Sequence, residues 1–346
     1  MRWSRVHVEA IAYELPPERV RSTDLEARLA SVYETLRLQP GQLEALTGIR
    51  ERRMWPPGTR MAPVATAAAR KALAACGVEA RDLGAVIYAG VCKDDLEPAT
   101  ACAVAAALGA PPDAWVFDVA NACLGVMNGM VEIANRIELG QIRAGVVVAA
   151  ESSRHIVEES IARLQRDPTL DALKSCLATL TGGSGAVAVV LTDAALSRTG
   201  RRLLGGAALS APEHHRLCVW GPPTGLLGER ANVANTDAAA ILTHGVDLGR
   251  RTWARFLEEL RWTPDDLDRV ICHQVGGGNR RAILGTLGIP ESKDFSTFPT
   301  LGNMGTVALP ATAAIAEQAG FLAPGHRVGF LGIGSGLNCL MLGVQW

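Results

Sequence analysis

A long-range repeat is the feature that most constrains how this chain can fold. Residues 69–91 and 253–275 align without gaps at an offset of 184 residues, in a chain of 346. Each copy is typical of an amphipathic helix, a polar turn and a buried strand. The identical pairs are Leu73/Leu257, Asp82/Asp266, Leu83/Leu267, Val86/Val270, Ile87/Ile271 and Val91/Val275. Self-similarity over this separation predicts a duplicated α/β unit, in a chain long enough to bury a substantial core.

The repeat also suggests where the two halves meet. We predict an N-terminal half at 1–195, carrying a helical insertion at about 151–181, and a C-terminal half at 196–346. Residues 211–236 are rich in Pro, Gly and Asn and are predicted to be loop. Each half ends in a glycine turn, GGSG in the first and GIGSG in the second, followed by an apolar strand. Neither turn has the features of a phosphate-binding loop, because no Lys-Ser/Thr and no helix follows.

Bulk composition excludes several classes of partner. The net charge is −1, with 34 basic and 35 acidic residues, so no global field favours nucleic acid or an anionic membrane. The eight cysteines form no CxxC pair, which favours a reducing cytoplasm, and no cluster has metal-ligand spacing. The adjacent His214 and His215 are interpreted as loop surface. We expect no membrane span, no metal and no bound cofactor.

Cys123 is the first candidate functional residue. An apolar run, VFDVANAC, ends at this cysteine, and a helix-compatible pattern follows immediately. A cysteine on the first turn of a helix lies over the positive end of the helix dipole, which lowers the pKa of a thiol and favours a thiolate nucleophile. The alternative is a buried structural cysteine, the more common role in a chain that is 48% hydrophobic.

Three further segments offer partners for Cys123. His273 ends an apolar strand and precedes the glycines at 276–278; Asn303 lies in a glycine turn before a helix; and 335–336 belong to the last glycine turn. A thiolate attacks a thioester, His and Asn can donate hydrogen bonds to a developing enolate, and backbone N–H groups can hold an oxyanion. These types together indicate acyl transfer. No acid near His273 in sequence polarises it as a protease base.

The segments that carry these residues resemble a known family. FDVANACLG, ICHQVGGGNR, TLGNMGTVALP, GIGSGLN and, at 47–53, TGIRERR are similar to blocks of the thiolase superfamily, in its ketoacyl-ACP synthase III branch. The resemblance implies a five-layered αβαβα thiolase fold, made of two duplicated βαβαβαββ-type halves and working as a dimer. It implies that Cys123 is the acylated nucleophile and that His273 and Asn303 form the oxyanion hole. The amides of Cys123 and Gly336 are the implied second hole.

Glu97 bears on which reaction the enzyme catalyses. Within KDDLEPAT, Asp94 and Asp95 are predicted to be solvated, whereas Glu97 abuts Pro98 and an apolar helix and is expected to point inward. LEPAT and the other blocks resemble the OleA-type enzymes of olefin biosynthesis. In that family the matching glutamate reaches the partner subunit's site, which implies that Glu97 is a base acting across a homodimer. Ser335 matches a polar residue near the catalytic histidine.

The implied function is a non-decarboxylative Claisen condensation of two fatty acyl-CoAs to a 2-alkyl-3-keto acid, which downstream enzymes would consume. One alternative is a decarboxylative ketoacyl-ACP synthase III that uses malonyl-ACP or ligates polyketide chains, and another is an inactive subunit of a heterodimer. Leu46, the apparent turn at 243–246 and the glycines at 276–278 depart from the related patterns, so no nucleotide-binding residue is assigned.

Overall fold

A computed structural model describes residues 1–221 and 233–346 of the chain. The strands are β1 (Val6–Glu14), β2 (Glu18–Arg21), β3 (Glu51–Met54), β4 (Ala85–Tyr88), β5 (Trp115–Asp118), β6 (Ala144–Glu151), β7 (Gly185–Asp193), β8 (Arg202–Ser210), β9 (Cys218–Gly221), β10 (Val233–Thr236), β11 (Arg269–Cys272), β12 (Arg327–Gly334) and β13 (Asn338–Gln345). The helices are α1 (Ser22–Arg28), α2 (Ala30–Leu36), α3 (Gln42–Thr47), α4 (Met61–Cys76), α5 (Thr100–Leu108), α6 (Gly125–Glu138), α7 (Arg154–Arg166), α8 (Leu170–Leu180), α9 (Ala238–Leu260), α10 (Gly277–Leu287), α11 (Phe298–Leu301) and α12 (Ala308–Gln318).

Nine strands form one hydrogen-bonded series in the order β11-β12-β13-β8-β1-β7-β6-β4-β5. Outward from the centre of the sheet, the first half contributes β1, β7, β6 and β4. The second half contributes the corresponding strands β8, β13, β12 and β11 in the same order, and β5 extends the first half by one strand. The halves join where β1 meets β8, through the pair His7 and Arg202. The predicted duplication is therefore confirmed in the topology.

The repeated segments coincide element by element. The short 3₁₀ helices Ala80–Asp82 and Pro264–Asp266 occupy equivalent places, and each precedes a four-residue strand, β4 or β11. A long helix, α4 or α9, comes before each of them. The predicted boundary at 195/196 lies in the connection between β7 and β8 and stays a prediction.

Side-chain alternation along the strands builds five layers. In β7, Val189 belongs to a central core with α6 and α12, while Ala188 belongs to a core shared with α4 and α5. In β13, Leu342 faces the same central core, and Met341 faces a third core with α9 and α10. Because successive residues of a strand point to opposite faces, each half-sheet lies between two helical layers. The αβαβα expectation is confirmed.

Three local predictions meet different outcomes. The helical insertion is present as α7 and α8, which pack against α1–α3 in a separate apolar cluster. The predicted loop at 211–236 is wrong in part: β9 and β10 pair as antiparallel strands, and 222–232 lie outside the described residues. The apparent turn at 243–246 is also wrong, since it lies inside α9. Among the helices described, none is long and apolar enough to cross a membrane.

The α6–β6 contact yields a stability prediction. A Cβ added at Gly129 would lie 2.4 Å from Val147 Cγ2, which is closer than packed atoms approach. Gly129→Ala should therefore lower the free energy of unfolding by about 1–3 kcal/mol, the usual cost of overpacking a core. Urea denaturation measures this.

Gly285→Ala is the matched control, because a Cβ there meets nothing within 4 Å. It should raise the free energy of unfolding by roughly 0.5–1 kcal/mol, since alanine favours helix. Equal effects at both positions would contradict the packing account.

Candidate active site

A tight turn presents Cys123 at the start of α6. Ala122 has φ +43°, a left-handed conformation uncommon for a residue with a side chain, and it opens the short helix Ala122–Leu124. The chain continues directly into α6, so the half-buried Cys123 lies at the positive end of that helix. The predicted order of strand, cysteine and helix is present, but the strand does not run to Cys123, because β5 ends at Asp118.

Close contacts with the second half fix the beginning of α6. The Val126 N–H donates to Thr306 Oγ1 at 2.7 Å, which joins α6 to the turn after Asn303. A Cβ added at Gly334, the last residue of β12, would lie 3.3 Å from the Cys123 nitrogen. The nucleophile turn therefore rests on two segments of the other half.

His273 reaches the same place through β11. Its backbone N–H donates to the Leu331 carbonyl at 3.0 Å, continuing the parallel pairing of β11 with β12. Leu331 and Gly334 lie on one strand, and Gly334 touches Cys123. The carboxyl ends of β11 and β12 thus bring His273 to the nucleophile side of the second half.

Asn303 is held by three hydrogen bonds. Its backbone N–H donates to the Thr181 carbonyl at 2.9 Å, and its carbonyl accepts from Gly183 N–H at 2.8 Å. The side-chain Oδ1 accepts from the Gly305 N–H at 3.0 Å. Because Oδ1 is occupied, the amide is oriented so that Nδ2 is the group that can donate to a ligand. The first glycine turn, which contains Gly183, is part of this support.

A buried arginine supports that turn from behind. Arg52 is fully buried, and its Nη2 donates to the Leu180 carbonyl at 3.0 Å while Nη1 donates to Ser22 Oγ at 3.2 Å. Burial lowers its pKa to about 10, so it remains a cation at neutral pH. Arg52 therefore fixes Leu180, which immediately precedes the segment 181–183 that hydrogen-bonds to Asn303.

Electrostatics at Cys123 differ from the expectation. Burial first, and then the nearby Cys218 and Glu151, raise the pKa of the Cys123 thiol to about 12. The predicted low pKa is wrong, because loss of hydration outweighs the helix dipole. Burial also lowers the pKa of His273 to about 4, and His273 Nδ1 has no hydrogen-bond partner among the residues described. The resting pair is a neutral thiol and a neutral imidazole.

The three acidic residues in the segment before α5 lie in different surroundings. Asp94 was expected to be solvated, which is wrong: its carboxylate accepts from Met61 and Ala62 N–H at 2.6 and 2.9 Å and caps α4. Asp95 is exposed, as expected, and pairs with Arg60. Glu97 is exposed, so the expected inward orientation within its own subunit is wrong.

Ser335 and Gly336 lie in the turn between β12 and β13. The Ser335 carbonyl accepts from Asn338 Nδ2 at 3.3 Å, and Asn338 Nδ2 also donates to Asn121 Oδ1 at 3.1 Å, beside the nucleophile turn. Gly336 has φ +133°, and a Cβ there would lie 2.4 Å from Asn338 Nδ2. Glycine is therefore required at 336, while Gly334 is the residue of this turn in contact with Cys123.

Sequence reasoning missed three residues of the site. Thr306 and Gly334 hold the nucleophile turn, and no local pattern distinguishes them from ordinary core positions. Glu151, buried at the end of β6, had a visible signal: an acid closing the apolar run AGVVVAAE. Within the described residues no group of three His, Cys, Asp or Glu side chains could hold a metal ion.

These elements define a class of protein, an enzyme of the thiolase fold. Residues 257–346 match the family model for the C-terminal region of 3-oxoacyl-(acyl-carrier-protein) synthase III. Across the whole of both chains the protein is 53% identical to the acyl-CoA:acyl-CoA alkyltransferase of Shewanella oneidensis, and 33% identical to that of Xanthomonas campestris. A crystal structure of Xanthomonas campestris OleA, a cysteine-to-serine variant with bound lauric acid and lauroyl-CoA, matches with a TM-score of 0.93 at 32% identity, over 99% of this chain and 100% of that one.

The chain belongs to the acyl-CoA:acyl-CoA alkyltransferase (OleA) family. The resemblance drawn from the sequence is thereby confirmed.

The neutral state of His273 is testable. Because its pKa is lowered to about 4, the imidazole should stay unprotonated from pH 8 down to about pH 5. In ¹⁵N-labelled protein its ring nitrogen shifts should be constant over that range, whereas free histidine titrates near pH 6.5. His273→Asn assigns the signal by its loss. A titration midpoint between pH 5 and 8 would contradict the proposed neutral pair.

Proposed function

We propose that this protein joins two fatty acyl-CoAs by a non-decarboxylative Claisen condensation. The observation that carries the proposal is the full-length similarity to relatives named acyl-CoA:acyl-CoA alkyltransferase, one of them 53% identical. The convergence of Cys123, His273 and Asn303 provides the nucleophile and the hydrogen-bond donors that this reaction needs.

Acylation of Cys123 is the first step. The sulfur attacks the thioester carbonyl, the acyl group passes to Cys123, and the thiol proton leaves with coenzyme A. Cys123 is half-buried, which limits the contact of the acyl group with bulk water. The amides of Cys123 and Gly336 are the proposed donors to the oxyanion, with Ser335 alongside.

Condensation is the second step. Glu97 removes a C2 proton from a second acyl-CoA, and the resulting enolate oxygen accepts hydrogen bonds from His273 and Asn303 Nδ2. The C2 carbon then attacks the acyl carbon, a C–C bond forms, the C–S bond to Cys123 breaks, and Cys123 leaves as the thiol with the proton that Glu97 had removed. Hydrolysis of the remaining thioester gives the 2-alkyl-3-keto acid, which a downstream enzyme would consume.

Glu97 is proposed to act in the partner subunit of a homodimer. It lies on the surface of its own chain, near Leu96, which is 66% exposed. The neighbouring β5 ends the sheet, and Trp115 on that strand is 54% exposed. An open strand edge with exposed apolar side chains favours burial against a second copy.

We further propose a cytoplasmic location, supported by the cysteines. All eight are free, which suits a reducing compartment.

Subunit complementation tests the position of Glu97. Cys123→Ala and Glu97→Gln variants should each be inactive with acyl-CoA, because one lacks the nucleophile and the other the base. When the two are co-expressed, the mixed dimer assembles one complete site if Glu97 acts across the interface. Condensation should then return to about a quarter of the wild-type rate, given random pairing in a two-fold dimer.

Asp95→Asn is the matched control for that experiment, since it removes an exposed acid from the same segment and should leave activity unchanged. Absence of any recovery in the mixed dimer would show that Glu97 does not act in trans.

Product analysis separates the two candidate reactions. Incubation with myristoyl-CoA alone should release coenzyme A and give a β-keto acid or its ketone, detected by mass spectrometry. Glu97→Gln should abolish this product while the acyl adduct on Cys123 still forms. A decarboxylative synthase would instead require a malonyl thioester and would keep its activity in Glu97→Gln, because loss of CO₂ generates the carbanion without a base.

A further inference from the structure

Glu151 is a buried acid that the reaction above does not use. It is the last residue of β6 and is 6% exposed. No cationic side chain forms an ion pair with it in the part of the chain that the structure describes. A buried, unpaired carboxylate is costly to keep, so its position calls for a role.

Both carboxylate oxygens bind the segment that leads to Glu97. Oε1 accepts from the Val91 N–H at 2.8 Å, and Oε2 accepts from the Cys92 N–H at 3.2 Å. The next residue extends the contact, because the Ser152 N–H donates to Cys92 Sγ at 3.4 Å. The chain between β4 and α5, which carries Glu97, therefore begins at a fixed point on β6.

The same side chain also lies beside the turn that orients Asn303. A Cβ added at Gly305 would lie 3.4 Å from Glu151 Cγ and 3.7 Å from its Oε1. Gly305 is the residue whose N–H occupies Asn303 Oδ1. The Glu151 carboxylate thus accepts hydrogen bonds from the beginning of the Glu97 segment, and its side chain lies beside the turn that aims the Asn303 amide.

We propose that Glu151 is a positioning residue for the condensation step, holding the Glu97 segment and the Asn303 turn in fixed relation beside Cys123. The proposal rests on the function proposed above, which assigns the base to Glu97 and the enolate donor to Asn303. Neither group is needed for acyl transfer to Cys123, so Glu151 should matter for condensation and not for acylation.

The proposed hydrogen-bonding role of Glu151 favours condensation, whereas its negative charge disfavours ionisation of the Cys123 thiol. Burial raises the pKa of Glu151 to about 7, so the group ionises as the pH rises through that value. Its negative charge raises the pKa of Cys123, and likewise of Tyr88 and Cys92, the titratable groups that face it. Removing the charge should make the Cys123 thiol easier to ionise while loosening the condensation machinery.

Glu151→Gln tests this by measuring the two half-reactions separately. Iodoacetamide alkylation of Cys123 at pH 8, followed by peptide mass spectrometry, should be faster than in the wild type. Acyl-Cys123 formation from myristoyl-CoA should persist. Condensation per acylated subunit should fall about tenfold or more, since small misplacements of reacting groups cost this much. Glu151→Asp should recover part of the condensation rate without the faster alkylation.

Glu9→Gln is the matched control. Glu9 is also a buried acid, 3% exposed, and accepts hydrogen bonds from Ser197 and the Arg198 N–H at 2.8 and 2.7 Å. Its loss should lower thermal stability without changing the ratio of condensation to acylation. A Glu151→Gln enzyme that loses both half-reactions in equal proportion, or neither, would overturn the proposal. If Glu151→Gln does not fold, the ratio of condensation to acylation is measured in Glu151→Asp instead.

Condensation by the wild type and by Glu97→Gln is measured in parallel. These measurements test the proposed function separately from the positioning role of Glu151. If only malonyl-CoA serves as second substrate, the proposed function fails. The ratio for Glu151→Gln is then measured with malonyl-CoA, where Asn303 is still required, and a preserved ratio again overturns the positioning role.

Discussion

The site depends on how closely α6 approaches the second half of the fold, and glycines permit that approach. A Cβ at Gly125 would lie 2.1 Å from the Ala89 carbonyl oxygen. A Cβ at Gly332 would lie 2.6 Å from both Leu124 Cδ2 and Met127 Sδ. A larger side chain at Gly332 would push α6 away from β12, and with it from the strand ends that carry His273, whereas one at Gly125 would push α6 away from Ala89 in the first half. Packing at this interface, more than any single catalytic side chain, brings residues of two duplicated halves to one point.

Desolvation of Cys123 and His273 is the electrostatic consequence of that packing. The same burial that raises the pKa of Cys123 lowers that of His273, so both directions follow from one cause. A charged thiolate–imidazolium pair is therefore disfavoured. Charge develops only when an acyl thioester supplies a carbonyl oxygen that the surrounding donors can stabilise. In a low-dielectric site those donors act strongly, which suits a reaction that passes through oxyanions and an enolate.

Local patterns predicted the parts of this structure that local physics determines. The repeat predicted the duplicated sheet, because the periodicity of helices and strands can be recognised among residues that are close in sequence. The strand–Cys123–helix turn was predicted for the same reason. Errors arose where distant residues decide the outcome: Asp94 caps a helix from 33 positions away in sequence, and the pKa of Cys123 follows from burial that no local pattern reveals. The support of Asn303 by Gly183 is equally non-local.

The two half-reactions draw on different levels of structure. In the proposed function, acyl transfer uses Cys123 and groups fixed inside one chain, whereas proton removal from C2 uses Glu97, which is exposed on the surface of its own chain. A hydrated carboxylate is a weak base, and covering it by a second subunit would strip that water and strengthen it. Assembly would then supply the base only where a complete dimer encloses the second substrate. Since Val91 and Cys92 are tied to Glu151 in the interior, the exposed Glu97 segment is anchored on the same buried carboxylate that adjoins the Asn303 turn. The geometry of the surface base is thereby linked to the geometry of the enolate donor.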